Sequence, residues 1–331
     1  MLRIFHNTTF DFIKWWRWAA GLTAAFIAIG LASYAVNPSL NYSIEFTGGT
    51  LMQLEFQQAP DPAELRSTVG TVAEGAEIQQ YGSPTEYTVR AQGATGVESA
   101  DAGAEGVGRR IGAALQQKYG AQGVRVVRTE AVGARVGEEL SRGAIVAVLL
   151  GSVLTLIYLA IRFEWRFGLA AVLATGHDIL VTAAFIKLFH IEVSLTVVAA
   201  ILTLLGYSMN DTIIIFDRVR EDLRLRRKEP LRDTLNRAIN ETLPRSVLTH
   251  ATTLAATLAL LLFAGEVIRP FAAVMAFGIF VATFSSIYVA GPLLLWIERK
   301  WPRRTIAGTA PRGTATPDRG AVRPEQPVGA R

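Results

Sequence analysis

Two carboxylates stand in segments of this sequence that are otherwise long and apolar. Asp178, preceded by His177, lies in one apolar run, and Asp211 lies in the next, six residues before Asp217. At 1.5 Å per residue, this spacing places Asp211 about 9 Å inside the charged end of its run. A carboxylate at bilayer depth costs several kcal/mol unless it is neutralised or paired, so such residues mark ion or proton pathways. We therefore take both carboxylates as candidate proton-coupling groups, with Asp178 the weaker candidate.

The helix predicted around Asp211 has one polar face, since residues turned by about 100° each align in stripes. The stripe consists of Thr196, Thr203, Tyr207, Asn210 and Asp211. In the next apolar run, a second polar stripe starts at the same end and consists of Arg245, Thr249, Thr252 and Thr253. We predict that Arg245 and Asp211 meet between the two helices, with Asn210 in a supporting position.

Such a pair suits proton coupling. Burial favours the protonated carboxyl group, whereas a nearby guanidinium, which stays charged, favours the ionised form. Moving the arginine away would therefore favour proton uptake. A static pair that fixes helix packing would use the same residues, and Asp178 would equally serve as a hydrogen-bonded carboxylate at a helix crossing. His177 and His250 are weaker candidates, because buried polar side chains usually satisfy a local hydrogen bond.

The elements that hold these residues are predicted membrane spans. The chain has 331 residues, of which 50% are hydrophobic and 18% charged, and its apolar residues stand in long uncharged blocks. A helix that crosses a bilayer needs about 20 such residues. Six blocks qualify: 18–36, 144–161, 167–189, 193–216, 246–264 and 271–296. The first lacks a convincing cleavage site, so we expect a retained helix rather than a signal peptide.

The distribution of charge predicts the orientation of the spans. Basic residues crowd the connections after the second, fourth and sixth blocks, whereas those after the third and fifth carry little positive charge. Because cytoplasmic loops carry the excess of Lys and Arg, we predict cytoplasmic positions for 1–17, 217–245 and 297–331, and hence for both termini. The acid-rich segment 37–139 then forms one periplasmic domain of an inner-membrane protein.

The periplasmic domain has the pattern of a small α+β unit. GGTLMQLEF, AEIQQYG, EYTVRAQ and VRVVRTEAV have strand character, while DPAELRSTVGTV starts as a helix with an Asp cap and a Pro in its first turn. Val107, Ile111 and Leu115 recur at helical spacing in a second helix. The order βαββαβ indicates a ferredoxin-like fold, with allowance for one strand at 41–46.

Two cytoplasmic segments have their own signals. Leu231, Leu235, Ile239 and Leu243 recur every four residues behind Pro230, which predicts an amphipathic helix on the membrane surface within 217–245. It either packs on the ends of the bundle or serves as a lever or docking element. The C-terminal residues from about 306 are rich in Gly, Pro, Ala and Arg and are predicted to be disordered.

Several classes of function are disfavoured by composition and motifs. There is no cysteine, which excludes disulfides and thiolate sites, and HExxH, Walker-type and GxSxG motifs are missing from the sequence. We expect no enzymatic activity, metal site or cofactor. The basic residues stand beside membrane spans, where orientation and anionic lipid account for them, so we expect no nucleic-acid partner.

Five strings carry a resemblance to a known family. They are IEFTGGT, IRFEWRFGLAA, the HD pair at 177–178, GYSMNDTIIIFDRVRE and NETLPRSVLTHATT. With the six spans, the chain up to Trp301 resembles the SecF branch of the SecD/SecF family of protein-export membrane proteins, which is related to the RND superfamily. The family more usually has Asp at the position of Glu45 and Ser at that of Pro244, and the proline leaves the depth of Arg245 open.

The resemblance implies a six-transmembrane RND-like half bundle that SecD completes. It also implies use of the proton motive force in late steps of export, with Asp211 and Arg245 matching the residues associated with coupling. The implied partners are SecD, the channel subunits SecY, SecE and SecG, other accessory membrane subunits, exported unfolded polypeptides and protons. A structural tether without proton coupling is the alternative. A small-molecule efflux pump fits less well, because efflux members carry two repeats and larger porter domains in one chain.

Overall fold

The computed structural model describes residues 8–80, 82–91, 100–226, 229–265 and 267–302, without the side chains of 100–103. The C-terminal tail predicted to be disordered lies outside these residues. The helices are α1 (Trp16–Val36), α2 (Ile44–Thr47), α3 (Pro62–Gly70), α4 (Ala100–Tyr119), α5 (Ala134–Arg162), α6 (Trp165–Leu188), α7 (Leu195–Leu225), α8 (Leu231–Phe263), α9 (Arg269–Tyr288) and α10 (Ala290–Lys300). The strands are β1 (Gly49–Phe56), β2 (Glu77–Gln80), β3 (Glu86–Ala91) and β4 (Val124–Val132).

Six helical segments of the described chain are long and apolar enough to cross a membrane, which confirms the predicted number of spans. The first joins a 3-10 helix, Phe12–Trp15, to α1, and the sixth is divided into α9 and α10 at Val289. The other four are α5, α6, α7 and α8. The protein is therefore an α-helical membrane protein of the predicted class.

Two helices extend well beyond their predicted spans. Helix α5 begins at Ala134, within the segment assigned to the periplasmic domain, and α7 continues to Leu225. Hydropathy marks only the part of a helix that lies in lipid, whereas backbone hydrogen bonding continues through charged turns. The first turns of α5 and the last turns of α7 therefore lie outside the apolar blocks.

The predicted surface helix and the fifth span form one continuous helix, α8, which contains Pro244. The spacing of apolar residues predicts a separate helix on the membrane surface. In the structure, Leu235, Ile239 and Leu243 are instead buried in the core at one end of the bundle. Neighbouring helices can compensate the backbone hydrogen bond that a proline removes in such a helix, which explains why α8 does not end there.

Helices α6, α7 and α9 form the densest part of the bundle. The rings of Phe167 on α6 and Phe216 on α7 pack edge to face, with centroids 5.4 Å apart. At Gly278 of α9, an added Cβ would lie within 3.0 Å of the Leu204 side chain on α7. Small residues let membrane helices approach closely, so Gly278 sets the distance between α7 and α9.

The domain between α1 and α5 contains a four-stranded antiparallel sheet in the order β2-β3-β1-β4. The chain order β1-α3-β2-β3-α4-β4 confirms the predicted βαββαβ unit. Its core consists of alternate strand residues, among them Met52 and Val89, packed against Ile111 and Leu115 of α4.

The additional strand allowed at 41–46 is not formed. Tyr42 makes one isolated bridge to Val193, and the following residues form the short helix α2. The chain then turns at Gly48, whose φ is +70° and where a Cβ would lie 2.9 Å from the Cα of Ala134. This close approach to the start of α5 requires glycine and sets the turn between α2 and β1.

Candidate functional site

Asp211 lies on the face of α7 that packs against α8. Its exposed fraction is 2%, and its Oδ2 atom has no hydrogen-bond partner within the described part of the chain. The Nδ1 atom of His250 on α8 lies 3.3 Å from Oδ2. A buried carboxyl oxygen without a hydrogen-bond donor is energetically costly, so Asp211 bears an uncompensated desolvation cost in this arrangement.

His250 is positioned by both helices of this seam. Its exposed fraction is 5%, and Nδ1 lies 2.7 Å from the carbonyl oxygen of Ser246, one turn earlier on α8. The ring of Tyr207 packs edge to face on the imidazole at 5.2 Å, and the Tyr207 hydroxyl donates to the carbonyl oxygen of Thr249 at 3.4 Å. The sequence leaves His250 as a weaker candidate with a local hydrogen bond and does not predict its contact with Asp211.

The predicted meeting of Arg245 and Asp211 is not observed in this arrangement. Arg245 is exposed, and the ion pairs among the described residues include none between it and Asp211. The reason is the phase of α8: Ser246 and His250 are four residues apart and both buried, whereas Arg245 is turned by about 100° from Ser246. The guanidinium therefore lies outside the seam that its neighbours line.

Several other members of the two polar stripes also face outward. Asn210 and Thr203 of α7 are exposed, as is Thr252 of α8. Asn210 therefore does not share the buried position of Asp211. The stripes divide into a buried seam and an exposed polar surface, which we call the outer polar face, consisting of Thr203, Asn210, Arg245 and Thr252.

Asp178 has a different environment at the crossing of α6, α7 and α9. Its Oδ2 atom accepts hydrogen bonds from the hydroxyls of Ser208 at 2.5 Å and Ser285 at 2.7 Å. Its Oδ1 atom lies 2.9 Å from Nδ1 of His177. Three helices thus meet on one carboxylate, which is the arrangement expected of a hydrogen-bonded structural group at a helix crossing.

The small domain contacts the connection between α6 and α7 through a charged pair. Arg90 of β3 pairs with Glu192 and also donates to the carbonyl oxygen of Tyr42 at 3.0 Å. Burial raises the pKa of Glu192, and the neighbouring Arg90 partly opposes this effect. Glu45 accepts a hydrogen bond from the backbone N–H of Leu195 at 2.7 Å. These contacts join the domain to the start of α7.

Comparisons with known proteins agree with the features of the fold. The family described as "Protein export membrane protein SecD/SecF, C-terminal" matches residues 112–300, and the "SecD/SecF GG Motif" matches residues 40–60. The protein translocase subunit SecF of Gemmatimonas aurantiaca is 68% identical over 94% of this chain and 93% of its own length. The SecF of Desulfurispirillum indicum is 41% identical over 86% of this chain and 90% of its own.

The solved structure of SecDF from Thermus thermophilus, a translocon-associated membrane protein, superposes with a TM-score of 0.76 at 36% identity, covering 88% of this chain. A second SecDF structure, in a super-membrane-facing form, gives a TM-score of 0.63. This chain spans 39% and 40% of those two longer chains. The sequence identity and the shared architecture place the chain in the SecD/SecF family of protein-export membrane proteins, among its SecF translocase subunits.

Proposed function

We propose that this chain works with SecD in the Sec translocase and uses the proton motive force to promote late steps of protein export across the inner membrane. Its further partners are SecY, SecE, SecG, other accessory membrane subunits, exported unfolded polypeptides and protons. The observation that carries the proposal is Asp211, a carboxylate inside a membrane span that is 2% exposed and lies beside His250. Such a group costs several kcal/mol to bury, and a proton-handling role explains its presence.

The depth of Arg245 supports its part in this function. Along the seam of α7 and α8, Arg218 pairs with Glu241, and further along Tyr207 reaches Thr249. Arg245 lies between these two contacts in the antiparallel register, at a depth close to that of Asp211. A modest rotation or shift of α8 would bring the guanidinium to the carboxylate. Each proton crossing 100 mV supplies about 2.3 kcal/mol, enough to shift a two-state arrangement more than tenfold.

The outer polar face supports SecD as the partner. Polar and charged side chains in a membrane span usually face protein or a water-filled cavity, yet Thr203, Asn210, Arg245 and Thr252 are exposed in the isolated chain. In the solved SecDF structure, the region that superposes on this protein is part of a longer chain, of which it makes up 39%. We propose that SecD covers the outer polar face and completes the bundle.

Export by membrane vesicles depleted of this subunit and complemented with variants tests the proposal. We expect Asp211→Asn to assemble normally, because it keeps size and hydrogen-bonding capacity, and to lose the response of the export rate to an applied proton gradient. Arg245→Met should lose the same response. Asp217→Asn is the matched control, since it makes the same chemical change in a partly exposed carboxylate paired with Arg162.

The alternative function, a structural tether without proton coupling, predicts the reverse. Asp211→Asn would then lower the amount of assembled complex and leave the gradient response of the surviving complexes intact. The rate must therefore be expressed per assembled complex. An Asp211→Asn protein with a wild-type response would contradict the motor assignment of this residue.

The proposed topology places both termini and the connection between α7 and α8 in the cytoplasm, and the α+β domain in the periplasm. The sequence has no cysteine, so single cysteine substitutions can be labelled without background. We expect an impermeant maleimide to label a Ser67→Cys variant in intact cells from which the outer membrane has been removed. A variant at Arg226 should be labelled only after permeabilisation, and the opposite pattern would contradict the topology.

A further inference from the structure

We propose that His250 is part of the proton-coupling site, as the group that shares a proton with Asp211 while Arg245 lies outside the seam. The proposal rests on the proposed function and adds a second titratable group to it. In the arrangement described here, the buried carboxyl group has His250 at 3.3 Å and no ion pair with Arg245 among the described residues. The imidazole therefore takes the position that a guanidinium would occupy in a paired state.

The hydrogen bonding of His250 defines where its protons lie. Its Nδ1 atom is 2.7 Å from the carbonyl oxygen of Ser246, and because a carbonyl oxygen only accepts, Nδ1 carries a hydrogen. Oδ2 of Asp211 lies 3.3 Å from the same Nδ1 atom but receives no hydrogen bond from it, because the hydrogen of Nδ1 is directed to Ser246. A neutral imidazole protonated at Nδ1 still has a free lone pair on Nε2, so it can accept one further proton.

The pair therefore binds one exchangeable proton in either of two forms. The proton resides on the Asp211 carboxyl beside a neutral imidazole, or on Nε2 of His250, as an imidazolium beside the Asp211 carboxylate, and the pair is neutral in both. Arrival of the Arg245 guanidinium would supply the positive charge instead, and one proton would leave to water. No other bond forms or breaks, and charge and protons balance in each step.

Few other charged groups can compete for this position. On α7, the titratable neighbours of the imidazole are Asp211 and Tyr207, whose hydroxyl is directed to Thr249. Helix α9, which also packs on α8, has in its sequence no charged or titratable residue between Arg269 and Tyr288.

The contacts of α8 with the segment before α1 and with α10 that the structure describes lie far from the imidazole. The segment before α1 contacts α8 at Arg232, Asn236 and Asn240, and α10 contacts it near Leu235. All of these positions are at least ten residues, or about 15 Å, before His250.

The substitution His250→Asn tests the proposal in the complex with SecD. Asparagine can still donate to the carbonyl oxygen of Ser246 but cannot take up a proton. We expect the gradient-dependent part of the export rate per assembled complex to fall about a hundredfold or more, as it does when a positioned proton-transfer group is lost. The control is His190→Asn, the same change at an exposed histidine with a positive φ of 53°, which asparagine tolerates. The control should keep the wild-type rate.

A second measurement separates a proton-sharing role from a purely structural one. The infrared C=O band of the protonated Asp211 carboxyl, assigned by its loss in Asp211→Asn, is followed as a function of pH in wild type and in His250→Asn. We expect its midpoint to shift in His250→Asn, since the shared proton then has only one site. This measurement holds even if the variant exports poorly for structural reasons.

The outcomes for this inference and for the proposed function can be distinguished. If Asp211→Asn abolishes the gradient response while His250→Asn retains both the rate and the midpoint, the proposed function stands and the role of His250 is wrong. If Asp211→Asn keeps the wild-type response, the proposed function itself fails. An unchanged carboxyl midpoint in His250→Asn would overturn the shared proton even where its export rate is reduced.

Discussion

Asp178 and Asp211 lie in the same helix bundle and are both buried, yet their surroundings are opposite. Asp178, which is 7% exposed, accepts hydrogen bonds from Ser208 and Ser285 on two other helices. Asp211 is 2% exposed, and its Oδ2 atom has no hydrogen-bond donor in the described chain. Removing a satisfied group leaves its donors unpaired, whereas an unsatisfied group already bears a desolvation cost. We infer that Asp178 fixes helix positions and that Asp211 can change partners.

The largest expected effect on stability is that of Asp178→Ala. The hydroxyls of Ser208 and Ser285 would both lose their acceptor in the interior of the bundle. Two hydrogen bonds to a charged acceptor, at about 1.5–3 kcal/mol each, predict a loss of roughly 3–6 kcal/mol in the free energy of unfolding. Denaturant unfolding of the purified complex in detergent measures this loss.

The control for this comparison is Asp211→Ala in the same assay. We expect less than half of the destabilisation, because no hydrogen bond to Oδ2 is lost in the described chain. The milder substitution Asp178→Asn should retain the gradient response per complex, unlike Asp211→Asn. Equal losses of stability at the two positions, or loss of the gradient response in Asp178→Asn, would remove the distinction between the two carboxylates.

The sequence alone predicts that Asp178 and Asp211 both lie inside the bundle, but it does not predict which partners each carboxylate has. Periodicity correctly predicts the six spans, the βαββαβ unit and the presence of two carboxylates inside the bundle. It also predicts that Asp211 and Arg245 face each other, which is wrong for this arrangement. A helical wheel shows which residues share a face, but the direction of that face is uncertain by about one residue, or about 100° of rotation. Which of two adjacent residues points into a seam depends on how the neighbouring helix is rotated, and one sequence does not specify that rotation.

His250 is a second example in which the rotation of α8 could not be predicted from the sequence. It lies one turn after Ser246 on the same face of α8. If that face, rather than the face of Arg245, had been assigned to the seam, the sequence would have predicted that the imidazole contacts Asp211. The continuity of α8 through Pro244 was likewise not predicted, because proline is a reliable helix terminator in water and a weaker one inside a membrane bundle.

A smaller effect is expected from Gly278→Ala, which tests whether tight packing holds the Asp178 crossing in place. Gly278 lines the same small cavity as Leu204 and Ser208, and an added methyl would overlap the Leu204 side chain. Overpacking of this kind costs about 1–3 kcal/mol. The same unfolding assay measures the loss, and the gradient response per complex should be unchanged.

Gly176→Ala is the matched control, since a Cβ at this α6 position meets no atom within 4 Å. There the substitution should be neutral or stabilising by up to about 1 kcal/mol, the intrinsic helix preference of Ala over Gly. If Gly278→Ala were as harmless as Gly176→Ala, α9 would be free to move against α7. Asp178 could not then be regarded as a rigid joint.

The smallest expected effect concerns Glu192, a third carboxylate that is only partly buried and is paired with Arg90 of the domain. Burial raises its pKa above the ordinary value of 4.5, so the folded protein holds this proton more tightly than the unfolded chain does. The folded state gains its full stabilisation from this proton at pH values below the ordinary pKa. The stabilisation is lost as the pH rises through the raised pKa.

The variant Glu192→Gln tests this effect, because it keeps a hydrogen-bond acceptor for Arg90 but cannot ionise. Between about pH 4 and pH 7, the thermal midpoint of the wild type should therefore fall more than that of the variant. Glu55→Gln, in the more exposed pair with Arg125, should follow the wild type. A wild-type midpoint that instead rises over this range relative to Glu192→Gln would mean that attraction to Arg90 outweighs burial, and Glu192 would then be a partnered carboxylate like Asp178.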